Sequence, residues 1–297
     1  MKIGVKLWMD GSPELGRELT YLELRDIALQ IEMLGFDSIW FMDHLVFRDE
    51  KTTHGVWEAW TLLSALAEAT SRIELGSLVL CSQFRNPAVL AKMAVTLDAV
   101  SNGRFILGLG VGWNKPEFEA FGLPFDHRVS RFEEAIKIIR PLLKDGHVDF
   151  TGKYYQAHDC QILPRGPRPE GPPILIGGTG PRMLRLAAQY ADMWNITGRQ
   201  QPESLKEPLK NLKAACDEVG RDMKTLAITA QIQVTYPEFG SLPSWMTTFL
   251  SGSDREIADE LKRFADIGVT HLMTHCGPYN LKTLTQLAEA IKLFRKK

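Results

Sequence analysis

The chain has 297 residues, 44% hydrophobic and 24% charged, a balance typical of a globular protein with a sizeable core, which excludes disorder as its main state. Thirty-five basic residues against thirty-six acidic ones give a formal charge of −1. Apart from the terminal Arg295, Lys296 and Lys297 the cations are dispersed, so nothing resembles a nucleic-acid footprint.

Met1 to Leu7 runs straight into a strand-like segment, without the basic and long apolar regions of a signal peptide, and no stretch of about 18 apolar residues suggests a membrane span. A cytoplasmic protein with no membrane partner is expected. Cys81, Cys160, Cys216 and Cys276 are far apart, form no C-x-x-C pair and have no histidine at zinc-ligand spacing. Reduced thiols and no metal site are the reading.

Short apolar runs alternate with segments of helical period from end to end, the pattern of repeated strand-helix units. Ile3 to Leu7 is the first strand, and Thr20 with Glu23 fits a capping box for the helix after it, stopped by Gly35. Ser38 to Asp43 is the second, followed by an apolar helix near Val56 to Ala69. Ile73 to Leu80 is the third, and Asn86-Pro87 opens the next helix, where a proline at the first position loses no helical hydrogen bond. Phe105 to Gly110 is the fourth, and Ser130 with Glu133 is the expected cap of a helix through Leu143.

From about 144 to 173 the density of Gly and Pro predicts a long irregular excursion. Ile174 to Ile176, Asp192 to Ile196, Leu226 to Val234 and His271 to His275 are strands five to eight, with a second irregular segment at about 236 to 253 and a Ser253/Glu256 cap for the seventh helix. Leu34-Gly35-Phe36-Asp37 before strand two is echoed by Ile267-Gly268-Val269-Thr270 before strand eight. Mostly apolar strands, each followed by a helix, fit a closed parallel barrel buried on both faces, so residues 1–297 read as one (β/α)8 TIM barrel domain.

In such a barrel the functional groups stand at the C-terminal ends of the strands. Asp43 and His44 end strand two; they fit either an acid/base histidine with a carboxylate that fixes its tautomer, or a polar pair that starts a loop. After strand three, Leu78-Val79-Leu80-Cys81 is either ordinary core or a kink whose amides meet a flat ring, and spacing alone favours core.

Strand four ends in Gly108-Leu109-Gly110-Val111-Gly112-Trp113-Asn114. Alternate glycines either bare the strand for a planar ligand or allow close strand packing. Trp113 stands where a dinucleotide fingerprint needs its third glycine, which argues against a Rossmann site. Gly177-Gly178-Thr179-Gly180 runs into a helix at Pro181 and is the clearest ligand signal, a phosphate cradle of free amides. Asp10, Trp113 and Trp194 are candidate substrate-pocket residues, although core is the commoner fate of such tryptophans; Asp10, His127, Arg128, Arg131 and His275 could each reach the mouth as substrate contacts but fit surface or capping groups better. Asp10 with Glu117 could also imitate a glycosidase carboxylate pair, with nothing to fix their separation.

Taken together, Trp40-Phe41-Met42-Asp43-His44, Arg85-Asn86-Pro87, Ser101-Asn102-Gly103-Arg104, the Gly108 to Asn114 run, Pro173 to Gly178 and Ala191-Asp192-Met193-Trp194-Asn195 resemble the luciferase-like monooxygenase superfamily. Within it the chain is most similar to the coenzyme F420-dependent oxidoreductases. The resemblance implies a deazaflavin, or alternatively FMN, lying over a bulge with a non-proline cis peptide near Leu78-Val79. It also implies that His44 is the acid/base or charge-stabilising group beside the ring, that Gly178, Thr179 and Gly180 hold the phosphate, and that the protein is a homodimer. A hydride would pass to or from a small organic substrate; the FMN alternative is a monooxygenase supplied by a partner reductase, and a third reading is a non-catalytic flavin-binding barrel. The sequence departs from the sugar-phosphate dehydrogenase branch at Arg48 and Trp113, where that branch carries Trp and Glu, and from the flavin-using luciferases near Gly110, where they carry an Arg.

Overall fold

A computed structural model describes residues 1–7, 17–48, 53–197, 201–242 and 246–296. Eight parallel strands among these residues close into a barrel: β1 (Lys2–Lys6), β2 (Ser38–Phe41), β3 (Glu74–Ser77), β4 (Phe105–Gly110), β5 (Ile174–Gly177), β6 (Met193–Ile196), β7 (Ala227–Thr235) and β8 (Val269–Gly277). Each pairs with the next, and β8 pairs back onto β1 with Lys2 opposite His271. The expected (β/α)8 architecture is therefore the observed one.

The helices that cover the barrel are α1 (Tyr21–Met33), α2 (Ala59–Ala69), α3 (Pro87–Val100), α4 (Arg128–Lys144), α5 (Pro181–Tyr190), α6 (Lys206–Glu218), α7 (Asp254–Asp266) and α8 (Leu281–Arg295). Strand residues alternate between two apolar cores, which is why the strands read as continuous apolar runs. Ile3, Val5, Ile39, Leu107 and Ile176 point outward to the helices, while Trp40, Leu78, Ile106, Leu175 and Met273 fill the barrel interior. Low in that interior, Ser38 Oγ accepts from the Trp40 indole at 2.6 Å and lies 2.7 Å from His271 Nε2.

Thr20/Glu23 and Ser253/Glu256 form the expected capping boxes, and Asn86 caps α3 with Pro87 in its first turn. Helix α4 departs from expectation. It starts at Arg128, after a left-handed His127 with φ 50°, so Ser130 and Glu133 lie inside it. Their side chains are bound instead by Arg182 of α5, 3.0 Å from Ser130 Oγ and 3.1 Å from Glu133 Oε2, a tertiary contact that local pattern cannot reveal.

The stretch expected to be irregular from 144 to 173 contains an antiparallel hairpin, His147–Thr151 with Gln156–Gln161. Its turn is held by the Glu134 carboxylate, which accepts from the amides of Lys153, Tyr154 and Tyr155 at 2.8 to 3.0 Å. A smaller hairpin, Val46–Arg48 with Thr53–Gly55, follows β2. The segment after β7 has a short 3-10 turn, Pro237–Phe239, and returns as Leu250 bridging Val234. None of the described helices is long and apolar enough to cross a membrane.

Candidate active site

At the end of β3 the chain leaves the regular ladder. The Leu78-Val79 peptide is cis, and pairing with β4 resumes at Leu80 and Cys81, opposite Leu109 and Gly110. The resemblance implied this feature, whereas spacing favoured ordinary core.

The glycine run of β4 serves this bulge. A Cβ on Gly108 would lie 1.9 Å from the Ser77 carbonyl oxygen, and one on Gly110 would lie 2.5 Å from Val79 Cγ2. Gly112, at φ +70°, would bring a Cβ within 2.7 Å of Cys81 Sγ and 2.6 Å of Phe118. These contacts are what the close-packing reading of the alternate glycines expects: where a Cβ would stand on Gly110 and Gly112, the protein's own side chains already lie. What reaches the barrel mouth is Val79, half-buried, with its methyls 3.4 and 3.6 Å from the position of a Cβ on Gly177.

His44, in the segment that follows β2, is buried, and its Nδ1 lies 3.1 Å from Glu117 Oε2. Glu117 sits in the short helix Lys115–Ala120 and is only 1% exposed. Its Oε1 accepts from the amides of Leu45 and Val46, which start the small hairpin. Burial works to raise the Glu117 pKa, but the hydrogen bond from His44 and those two amides outweigh it and hold the carboxyl below its usual range. The imidazole is flanked by Phe47 (ring centroids 4.2 Å apart) and by Trp113, edge-on at 5.6 Å. Trp113 is 67% exposed.

Asp43, the expected tautomer-fixing partner of His44, is placed elsewhere. Its Oδ2 accepts from the Cys81 amide at 2.9 Å and from Arg85 Nη1 at 2.7 Å, and its Oδ1 from Arg85 Nη2 at 3.1 Å. Asp43 thus turns to Cys81 and Arg85, while His44 turns to Glu117. Sequence reasoning missed Glu117 in this part because it lies 73 positions away on a different element; its appearance in the carboxylate pair with Asp10 was the only hint, and Asp10 lies outside the described residues.

Leu80 packs its side chain into the outer core, and the Cys81 amide is taken by Asp43. Cys81 is a buried thiol pushed up to about 12 by burial, and inert as a nucleophile. Asn114 is buried and donates to the Val46 carbonyl at 3.3 Å, steadying the hairpin over His44 instead of facing a ligand. Arg128 donates to the Gly112 carbonyl at 2.6 Å, so it anchors the rim loop.

After β5, Gly177 and Gly178 are half-buried and Thr179 and Gly180 exposed. Gly180 is the N-cap of α5, has no side-chain cap among the described residues, and has open space where a Cβ would stand. Trp194, an expected pocket residue, borders a cavity together with Thr179 and Leu184. It belongs to the outer core and donates its indole N–H to the Gly178 carbonyl at 2.8 Å, bracing the glycine turn from behind. His275, expected at the surface, lies within the barrel one layer above Met273 and opposite Gln233. Burial, with the Lys6 ammonium adding to it, holds its imidazole well below the usual pKa.

A parallel barrel with a bulged strand end, a histidine-carboxylate pair and an uncapped glycine turn on one rim is the framework of a cofactor enzyme. The luciferase-like monooxygenase profile matches residues 1–238, and the chain belongs to that family. It is 31% identical over 259 residues to a protein named F420-dependent glucose-6-phosphate dehydrogenase from Amycolatopsis mediterranei, covering 82% of this chain and 76% of that one. It is also 31% identical over 242 residues to the pyrimidine monooxygenase RutA of a Caulobacter species, covering 78% of this chain and 66% of that one. Among solved structures, an F420-dependent secondary alcohol dehydrogenase in complex with an F420-acetone adduct superposes with a TM-score of 0.82, at 20% identity over 99% of both chains; that likeness is one of fold.

Proposed function

We propose that this chain is an F420-dependent oxidoreductase that moves a hydride between a deazaflavin and a small organic substrate, with His44 as the acid/base group. The observation that carries this reading is the Glu117-oriented His44, set between Phe47 and Trp113 at the barrel rim. The residues fit the cofactor: Val79 between Gly110 and Gly177 supplies a narrow bed for a flat ring, and the uncapped start of α5 with Gly178, Thr179 and Gly180 supplies amides for a phosphate. When bound, the deazaflavin supplies hydride chemistry, and the protein supplies placement and proton handling.

Glu117 accepts from His44 Nδ1, which leaves Nε2 as the atom directed to the reacting partner. The imidazole takes a proton as the substrate is oxidised and returns it in the reverse direction, and the ionised Glu117 stabilises the charge that develops on it. Phe47 and Trp113 shield this exchange from water and present aromatic faces, while Arg48 is exposed on the hairpin. An uncharged, partly apolar alcohol or carbonyl compound suits such walls better than a sugar phosphate.

The 31% identity to a pyrimidine monooxygenase favours a second reading, an FMN-dependent monooxygenase served by a reductase. Fluorescence titration of the purified protein with F420 and with FMN decides between them: tight quenching of F420 alone is expected, and quenching of FMN alone would replace the first reading with the second. Replacing His44 with Ala is expected to lower turnover far more than cofactor affinity. Equal loss of both would remove His44 from the acid/base role.

A further inference from the structure

We propose that Arg85 is a positioning residue: acting through Asp43, it sets the separation between the Val79 bulge and His44, and so between the bound ring and its acid/base partner. This rests on the reading of the site given above. Arg85 stands just before the Asn86 cap of α3, and its guanidinium ties this helix to Asp43 after β2 and to Glu58 before α2. Its Nη1 and Nη2 grip the two Asp43 oxygens at 2.7 and 3.1 Å, and Nη2 also donates to Glu58 Oε1. Glu58 in turn caps α2, accepting from the amides of Trp60 and Thr61 at 3.0 and 2.7 Å.

Asp43 is the pivot. It is bonded in sequence to His44, while its side chain holds the amide of Cys81, two residues past Val79. Movement of the carboxylate therefore shifts His44 and the exit of the bulge relative to one another. Asp43 does not touch His44 or the space above Val79 among its hydrogen bonds, so its influence on the reaction is geometric. A planar fork pre-set for two oxygens holds such a carboxylate in one orientation; a lysine supplies the charge without the fork. Reaction rates depend steeply on placement, so an ångström of slack is worth about a hundredfold.

The test compares wild type with Arg85→Lys and with Arg168→Lys as a matched control. Arg168 also grips a buried carboxylate, Asp98, but at the opposite end of the barrel, where it reaches the Phe105 carbonyl at the start of β4. Each protein is titrated with F420 and with FMN, following fluorescence and the NMR shift of the His44 ring proton, which reports the distance from imidazole to cofactor. The expected result is that Arg85→Lys loses more than about half of the cofactor-induced His44 shift and raises the cofactor Kd by about tenfold, whereas Arg168→Lys leaves both as in wild type. Should Arg85→Lys fail to fold, Glu58→Gln, which takes the charge from one arm and keeps the Asp43 pair, is expected to reduce the shift in the same direction.

If wild type shows the shift and Arg85→Lys reproduces it in full, the positioning role is overturned and the functional reading stands. Equal losses in the two arginine variants overturn it as well, because a general loss of stability then explains both. If neither cofactor quenches with wild type, the functional reading falls and takes the proposal with it.

Discussion

Glu117 Oε2 lies 3.1 Å from His44 Nδ1, and the same carboxylate holds the two amides that begin the next hairpin. One buried acid thus orients the imidazole and anchors the loop that carries Phe47 against it. Replacing Glu117 with Gln can keep one oxygen for both amides, but it removes the charge and turns an NH2 group toward His44 Nδ1 in place of an acceptor. Destabilisation by about 1–3 kcal/mol is expected, since buried donors lose a charged partner, together with a drop in turnover larger than any change in cofactor Kd. Because the folded carboxyl titrates below its unfolded value, its stabilisation is present above the ordinary carboxylate range and is lost as pH falls through the folded pKa. Denaturant melts of wild type and Glu117→Gln should therefore converge in acid.

Two further histidines make the barrel sensitive to pH. His271 is held at about 3, by burial first and the Lys2 charge second, and His275 is also held well below its ordinary value. The unfolded chain binds protons that these folded imidazoles refuse, so their stabilisation is complete above about 6.5 and declines as pH drops below it. Thermal midpoints should fall from pH 7 to pH 4 in wild type, and His271→Gln should flatten that slope. A slope unchanged by the substitution would remove His271 from the account.

Gly110→Ala should be more damaging than its single methyl suggests. The new Cβ would stand 2.5 Å from Val79 Cγ2 with the bulge behind it. Overpacking of this kind costs about 1–3 kcal/mol, and the displaced Val79 should also weaken binding of the cofactor ring. Equilibrium unfolding and fluorescence titration measure the two effects separately.

Trp194→Phe keeps the buried ring and deletes the indole N–H that meets the Gly178 carbonyl. A loss of about 1 kcal/mol is expected. The braced glycine turn should loosen, so the Kd for a phosphate-bearing cofactor should rise more than that for its dephosphorylated form.

The cysteines should separate by burial. Cys81 and Cys276 are buried, with thiols pushed up to about 12, and Cys216 is buried and shifted upward, whereas Cys160 is only half-buried. Iodoacetamide at pH 8 should modify Cys160 first in the native protein, as mass spectrometry of the labelled peptides would show.

The barrel was legible in sequence because apolar strands and capped helices are local signals. Thr20 with Glu23, Asn86 with Pro87 and Ser253 with Glu256 each carry their instruction within four residues, and each cap is found where it was expected. Ser130 and Glu133 carry the same signature, yet Arg182 claims them from another helix. The hairpin at His147–Thr151 was hidden because its turn is stabilised by Glu134, which precedes it on α4. The site shows the same limit. The rim positions of Asp43, His44 and the Gly177 to Gly180 turn follow from strand order, but pairing His44 with Glu117 and Asp43 with Arg85 needs the closed barrel. The glycines of β4 were ambiguous for the same reason, since what fills the space beside Gly110 is the side chain of a neighbouring strand.

That filling has an evolutionary corollary. Because Gly108, Gly110 and Gly112 are each moulded around atoms of the β3 exit, or in the case of Gly112 also around Phe118, this portion of the rim has almost no freedom to drift. Trp113, 67% exposed above them, is under no such constraint. Chemistry can be inherited unchanged while selectivity is rewritten from above, so catalogues of accepted compounds should diverge among close cousins long before the seat beneath them does.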